Sequence, residues 1–295
     1  MLEGAAAALL QGVAVIFPIS GPGHAVVIGG VSGDTGADIA PETSGYLYAT
    51  LRLAIGLALL IRFRREWAWL VRGIGNLAGR GPNEAARRWA GLLLVAVTPA
   101  AIAVAVLAPR VASLQAHPMA AAGCLAGNGA LLLAVWWWFR RSPRSGGPSG
   151  THRARLTARD ETEAFVADSA TIPIARMAFI GLVPLVALVP GLSAVGAALC
   201  AALICGLTPD HAARLALLVV TPLLLVWGAV TLPHLSAREY DGVRTALAIA
   251  CVVAAAAAYL TASLLLRYFR TASLRPFGYY CVLAGAAGLA ALALT

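Results

Sequence analysis

The chain has 295 residues, of which 60% are hydrophobic and only 12% are charged, and its mean hydropathy is +0.81. This composition excludes an ordinary soluble domain and indicates a polytopic membrane protein. The formal net charge is +9, and all 22 basic residues are arginines. Because the arginines lie mostly between apolar runs, they are interpreted as topology signals or contacts to anionic lipid, and no nucleic-acid partner is expected.

Eight apolar segments are predicted to be helices embedded in the membrane. In chain order they are 5–28, 46–61, 90–108, 119–139, 172–206, 212–233, 243–266 and 277–295. The first and the fifth contain Pro, Gly and Ser within apolar sequence. Pro removes a backbone donor, and freed backbone groups are costly in hydrocarbon, so these two segments are predicted to be broken or re-entrant. The predicted fold class is an all-α polytopic membrane protein.

A polar stretch rich in Gly, Ser, Pro and Arg divides the chain at 140–171. It is predicted to be a mobile cytoplasmic linker between a first half, 1–139, and a second half, 172–295. Each half contains one broken segment followed by three simple spans. The sequence therefore predicts two structural repeats.

The arginine-rich stretch 62–88 is predicted to face the cytoplasm, as the linker is. The span 46–61 then runs from outside to inside, and its counterpart 212–233 runs in the opposite direction. The two halves are thus predicted to be inverted repeats, an arrangement that places a site at their interface. The side of the N-terminus stays open, because it depends on whether the first segment crosses the membrane.

The first broken segment carries residues 11–24, QGVAVIFPISGPGH. A helix that starts after such a break exposes N–H groups and the positive end of its dipole, which suit an anion such as phosphate. Ser20 can donate to phosphate oxygens, and His24 can attack or shuttle a proton. The alternative is that Ser20 only caps the next helix and that His24 lies at the membrane interface.

The second broken segment carries residues 190–196, PGLSAVG, and follows the same logic. Gly191 interrupts the helix, and Ser193 is a natural helix cap. Arg52 lies within the apolar span 46–61 and is expected either to face a polar cavity, where it would bind phosphate, or to snorkel to the interface. Gln11 is interpreted either as a helix-packing hydrogen bond or as a ligand contact.

These motifs, together with 98–100, 206–222 and 273–280, resemble the undecaprenyl pyrophosphate phosphatase family, also called bacitracin-resistance proteins. The resemblance covers nearly the whole chain. It implies inverted repeats with re-entrant hairpins and an outward-facing site in the bacterial plasma membrane. It also implies removal of one phosphate from the undecaprenyl pyrophosphate carrier in cell-wall lipid recycling, with the help of a divalent cation.

The backbone-shaping residues of the family motifs are retained, and most of its charged residues are not. The retained positions are Ser20, Gly23, His24, Pro190, Gly191, Ser193 and Gly196. The family's two motif glutamates correspond to Val15 and a position near Tyr48, and its motif arginine corresponds to Ala194. Arg52 stands at a glutamine position. This chain therefore resembles a divergent member.

The resemblance and the residue chemistry together predict a site in which His24 and Ser20 are catalytic. The predicted substrate-binding residues are Gln11, Gly23, Arg52, Gly191 and Ser193. No metal ligands are predicted and the cofactor is left unknown, because no Asp or Glu lies inside an apolar run and a divalent cation prefers carboxylate oxygens.

These residues are consistent with two functions. The first is hydrolysis of undecaprenyl diphosphate or a related polyprenyl phosphate. The second is a non-catalytic binder or flippase of polyprenyl phosphate, favoured by the missing carboxylates. A small-solute transporter gains less support, since no intramembrane acid is present to couple ions. The expected partners are a polyprenyl phosphate or pyrophosphate lipid and the membrane, and a homodimer is kept as one option.

Overall fold

The structure is a computed structural model that describes residues 2–32, 41–75, 84–107, 117–142, 158–231 and 244–294. All regular structure within these ranges is helical, which confirms the predicted all-α class. The α-helices are α1 (Leu2–Ala14), α2 (Gly21–Ser32), α3 (Pro41–Arg62), α4 (Arg64–Gly75), α5 (Glu84–Leu107), α6 (Pro118–Arg141), α7 (Ala158–Ala170), α8 (Ile174–Leu182), α9 (Ala194–Ile204), α10 (Pro209–Thr231), α11 (Arg244–Tyr268) and α12 (Arg275–Leu294). A 3₁₀-helix, Val183–Leu188, follows α8.

Five of the described helices, α5, α6, α10, α11 and α12, are long and apolar enough to cross a membrane. They have 20 to 25 residues, which at 1.5 Å per residue gives about 30–38 Å and matches a bilayer core of about 30 Å. The helix α3 contains the predicted span 46–61. The chain is a multi-pass membrane protein.

Both segments that were predicted to be broken are interrupted. The first is helical until Ala14 and again from Gly21, with turns in between around Pro18. In the second, α8 continues into the 3₁₀-helix, and α9 starts only at Ala194. Proline accounts for the first interruption, because it lacks the N–H that a continuing helix would need.

The two halves of the chain are packed into each other. The helix α3 packs on α10 and α11, α6 packs on α12, α1 packs on α11, and α5 packs on α8 and α10. The helices of the two halves can be matched in order, α1 with α8, α3 with α10, α5 with α11 and α6 with α12. The α1–α11 contact then corresponds to the α8–α5 contact, and the α3–α11 contact corresponds to the α10–α5 contact. Two structural repeats produce such corresponding contacts, and the inverted orientation of the repeats in the membrane stays a prediction.

The structure differs from the expected linker over its second part, where α7 is a packed helix. Phe165 and Val166 are buried, and Arg214 of α10 lies 3.2 Å from Glu66 of α4 and 3.5 Å from Glu161 of α7. The sequence did not predict this helix, because its residues are mostly polar and it is held by ion pairs and only a few apolar side chains. Residues 143–157 of the expected linker lie outside the described residues, and its cytoplasmic side stays a prediction.

Candidate functional site

The two breaks contact each other reciprocally. A Cβ added at Gly23, in the first turn of α2, would lie 2.5 Å from Cα of Gly191 in the second break. A Cβ added at Gly196, in the first turn of α9, would lie 3.2 Å from Cβ of Pro18 in the first break. Gly23 therefore has to be a glycine, and each break abuts the start of the other half's helix.

A serine caps the helix that follows each break. Ser20 Oγ accepts a hydrogen bond from the Gly23 N–H at 3.4 Å, and Ser193 Oγ accepts one from the Gly196 N–H at 3.1 Å. In both cases the acceptor precedes the donor by three residues, as in a helix N-cap. The capping interpretation of both serines is therefore observed, and it leaves open a further role for their hydroxyl groups.

Asn128 of α6 joins the two breaks and was missed in the sequence. Its side chain is 2% exposed. The Asn128 amide donates to the Pro18 carbonyl at 3.0 Å, and its oxygen accepts from the Ser193 N–H at 3.1 Å. It is the one amide side chain in the predicted span 119–139. A polar group inside a membrane helix is expensive, so this position could have been singled out.

Beside the breaks lies a cavity of about 60 Å³ that contains both cap serines. Ser20, Ser193 and Arg52 contribute the polar side chains, and Trp227 and aliphatic residues form most of the remaining wall. The N-terminal ends of α2 and α9 reach the same space. The structure thus brings together three of the seven predicted site residues.

Arg52 is held in the wall of this cavity and is only 7% exposed. It lies eleven residues after the start of α3, about 16 Å along the helix. Its guanidinium carbon is 3.9 Å from the centre of the Trp227 ring, which is a cation–π contact. Arg52 thus lines a cavity, as one of the two expectations had it, but this cavity is mostly apolar, and a phosphate-binding role stays a prediction.

His24 faces away from that cavity. Its Nδ1 lies 2.8 Å from the Ser20 carbonyl oxygen, and its ring stacks on Tyr280 with centroids 5.5 Å apart. Since a carbonyl only accepts, Nδ1 carries a proton and Nε2 is an acceptor in the neutral ring. Within the described ranges, Nε2 is buried without a hydrogen-bond partner. His24 lines a separate apolar cavity of about 370 Å³ between α2, α6 and α12.

The remaining predicted site residues lie next to the cavity but outside its wall. Gln11 is 5% exposed, and its Oε1 would lie 2.8 Å from a Cβ at Gly21, in the first turn of α2. Gly23 and Gly191 form the contact between the breaks. The structure therefore places Gln11, Gly23 and Gly191 as neighbours of the cavity, whereas none of their side chains forms its wall.

The residues of the cavity do not fit a divalent cation. Ca²⁺ and Mg²⁺ prefer several oxygen ligands, carboxylates above all, and the described lining offers two hydroxyl groups and no carboxylate. Within the described ranges no group of three or more His, Cys, Asp or Glu could hold a metal. A divalent cation about 5 Å from the Arg52 charge would be repelled by about 7 kcal/mol at an effective dielectric constant of about 20.

Comparison with known proteins identifies relatives over nearly the full length. The family model described as "Bacitracin resistance protein BacA" matches residues 5–287. "Undecaprenyl-diphosphatase 2" of Frankia alni is 32% identical over 97% of this chain and 96% of its own length. "Undecaprenyl-diphosphatase" of Mycolicibacterium paratuberculosis is 31% identical over 99% and 97%. "Undecaprenyl-diphosphatase 2" of Chromobacterium violaceum is 33% identical over 98% and 97%. The chain belongs to the BacA family of bacitracin-resistance proteins.

Proposed function

We propose that this protein binds undecaprenyl diphosphate by its phosphates in the cavity between the two breaks and hydrolyses it. The observation that carries the proposal is the convergence of two serine-capped helix N-termini and the Arg52 guanidinium on one cavity. N–H groups, hydroxyl groups and a guanidinium are the groups that bind phosphate oxygens in proteins. The names of the relatives supply the substrate.

The polar groups of the cavity have separate parts in binding. The Arg52 guanidinium offers a fork of donors to two phosphate oxygens. The Ser20 hydroxyl makes no hydrogen bond as donor in the described part of the chain, so its proton can be donated to a third oxygen. The Ser193 hydroxyl donates to the Phe17 carbonyl at 3.5 Å, a long bond that a phosphate oxygen can replace. The aliphatic wall suits the start of the prenyl chain.

Hydrolysis adds water across the P–O–P bond and yields undecaprenyl phosphate and inorganic phosphate. His24 is the base or nucleophile of the proposal, since its Nε2 lone pair is one helical turn from Ser20. To act in the cavity its ring has to leave the Ser20 carbonyl and Tyr280 and turn towards Ser20. Gln11 would hold the first turn of α2 in place during that movement.

The second candidate function is a non-catalytic binder or flippase of polyprenyl phosphate. Two observations favour it: the His24 ring lines a different cavity from Ser20 and Arg52, and no carboxylate lies in the described lining. Binding would then use the same groups without the turn of the histidine ring.

Phosphate release separates the two candidates. The protein in nanodiscs is given undecaprenyl diphosphate, and inorganic phosphate is measured for the wild type, His24→Ala and His117→Ala. Loss of a general acid or base lowers rates about 10²–10⁴-fold, so His24→Ala should be slower by that factor. His117 is exposed before α6 and serves as the matched control.

Three outcomes are informative. Binding of the lipid without phosphate release would support the binder or flippase function. Release that survives His24→Ala would remove His24 from the mechanism. Absence of both binding and release would reject the site.

The location and assembly complete the proposal. The organisms of the named relatives are bacteria, and the described spans make the protein multi-pass, so the bacterial plasma membrane is its proposed location. A homodimer is the proposed assembly, and light scattering of the purified protein would measure it.

A further inference from the structure

The cavity in which the lipid phosphate is proposed to bind contains a fixed positive charge. The family resemblance implies that a divalent cation assists the reaction at such a site. The described lining has one charged side chain, Arg52, and it is a cation. Its guanidinium is protonated at every physiological pH, so the charge is permanent. The inference that follows rests on the proposed function, because it concerns how the same cavity binds the lipid phosphate.

We infer that this protein binds its lipid phosphate without a divalent cation and that Arg52 supplies the positive charge. The resembled family motifs have a glutamine at the position of Arg52 and an arginine at the position of Ala194. A guanidinium binds two phosphate oxygens directly and needs no carboxylates to hold it. The absence of the motif carboxylates and the presence of Arg52 then have one explanation: the guanidinium takes the place of the metal and its ligands.

The position of Arg52 supports this role independently of its charge. Burial to 7% exposure keeps bulk water from screening the guanidinium, so its attraction for an anion is stronger than at a surface. The face of Trp227 lies 3.9 Å away and orients the guanidinium plane. Trp227 also lines the cavity, so a ligand bound at Arg52 should change the fluorescence of this tryptophan.

Three acidic residues are tested separately, because their side chains lie outside the described part of the structure. They are Asp34, Asp38 and Glu42. They lie between the site helix α2 and Arg52 in the sequence and are the acids from which a metal site could be built. If they hold a cation at the cavity, binding of the lipid phosphate will depend on both the metal and these acids.

The experiment measures binding of farnesyl phosphate and farnesyl diphosphate to the full-length protein in nanodiscs. Tryptophan fluorescence is recorded in EDTA and in Mg²⁺ or Ca²⁺, and Trp227→Phe identifies the reporting residue. The same dissociation constant is expected in EDTA as with either metal. Arg52→Gln should weaken binding about 10–100-fold, as the loss of hydrogen bonds to a charged group does. Arg52→Lys should recover part of the loss, because it restores the charge without the fork.

Two further variants serve as controls. Arg62→Gln removes a charge from the other end of α3, where Arg62 donates to Ser263 at 2.9 Å, and it should leave binding unchanged. In EDTA, the triple variant Asp34→Asn, Asp38→Asn, Glu42→Gln should have the same dissociation constant as the wild type.

Each contrary result has a distinct meaning. Binding at least about tenfold weaker in EDTA than in Mg²⁺ would overturn the metal-free inference and leave the proposed function intact. A metal effect that disappears in the triple variant would assign a cation to those acids and overturn the inference as well. Metal-free binding that survives Arg52→Gln would overturn the part given to Arg52. Absence of binding in every condition would reject the proposed function and the inference with it.

Discussion

The two breaks are built alike, but they differ in which residue adopts the left-handed backbone. In the second break this residue is Gly191, with a φ of +99°, and the cap Ser193 is extended with a φ of −101°. In the first break the cap itself is left-handed, since Ser20 has a φ of +62°. Among the described residues Ser20 is the one non-glycine residue with a positive φ.

The difference indicates that Ser20 is kept for its side chain. A left-handed backbone costs a residue with a Cβ about 1–2 kcal/mol and costs glycine almost nothing. The second break avoids this cost, whereas the first accepts it. Strained residues persist where the surrounding structure enforces them, and they concentrate at functional sites. Ser20 lines the cavity and has a hydroxyl proton available, so the first break carries more of the proposed chemistry than the second.

The largest expected effect comes from overpacking the second break against α6. Gly191→Ala adds a Cβ 2.4 Å from the Ala121 carbonyl oxygen at a left-handed position. Overpacking and backbone strain together should destabilise the protein by about 2–5 kcal/mol. Gly196→Ala is the matched control, because its Cβ would lie 3.2 Å from the nearest side chains. Thermal unfolding in detergent measures both, and equal losses would mean that Gly191 is no more tightly packed or strained than Gly196.

The next effect removes the side chain that joins the breaks. Asn128→Leu removes the hydrogen bonds to the Pro18 carbonyl and the Ser193 N–H and leaves that buried N–H without this acceptor, which should cost about 1–3 kcal/mol. Leu131→Ala, on the exposed side of the same helix, is the control. Lipid-phosphate affinity should also fall in Asn128→Leu, because the two helix N-termini would lose their alignment. An unchanged melting temperature and affinity would show that the breaks align without Asn128.

A smaller effect measures the difference between the caps directly. Glycine replaces a cap at a cost of a few tenths of a kcal/mol and alanine at about 1 kcal/mol. At Ser20 glycine additionally relieves the left-handed strain. The stability gap between Ser20→Gly and Ser20→Ala should therefore exceed the gap between Ser193→Gly and Ser193→Ala by about 1–2 kcal/mol. Equal gaps in chemical or thermal unfolding would mean that Ser20 is not strained.

The smallest expected effect measures how much the cavity wall beside the two breaks contributes to lipid-phosphate binding. Trp227→Leu removes the aromatic face beneath Arg52 and should weaken lipid-phosphate binding about twofold to fivefold, equivalent to about 0.5–1 kcal/mol. Trp137→Leu is the control, since Arg141 lies 3.4 Å above the Trp137 ring away from the cavity. A similar loss of affinity in both variants would assign the effect to general stability.

The sequence predicts the architecture better than the orientation of side chains. Hydropathy predicted the five described helices that are long and apolar enough to cross a membrane, and proline with glycine predicted the two interruptions, because these signals act on the backbone locally. The helix α7 was not expected, since the contacts of Arg214 with Glu66 and Glu161 join residues far apart in the chain. Charge pairing of this kind leaves no periodic pattern in the sequence.

The site shows the same limit at the level of single residues. The motif has Ser20 and His24 in one break, and the structure joins them through the Ser20 carbonyl. The motif could not predict that the His24 ring turns towards α12, because that direction is set by stacking on Tyr280, some 250 residues later. Asn128 was overlooked because a single amide in an apolar span has no motif around it.

The interleaving of the halves has a consequence for how the protein is made. The main partners of α3 and α6 are α10 and α12, which the ribosome delivers only with the second half of the chain. Until then the small-residue face of α6 around Gly129, which packs on Gly278 and Val282, has lipid or an insertion factor as its neighbour. The contacts between the halves can therefore form only after the second half has been synthesised. A ribosome that stops before α12 leaves a membrane-inserted chain in which the helix that bridges both breaks still lacks its main partner.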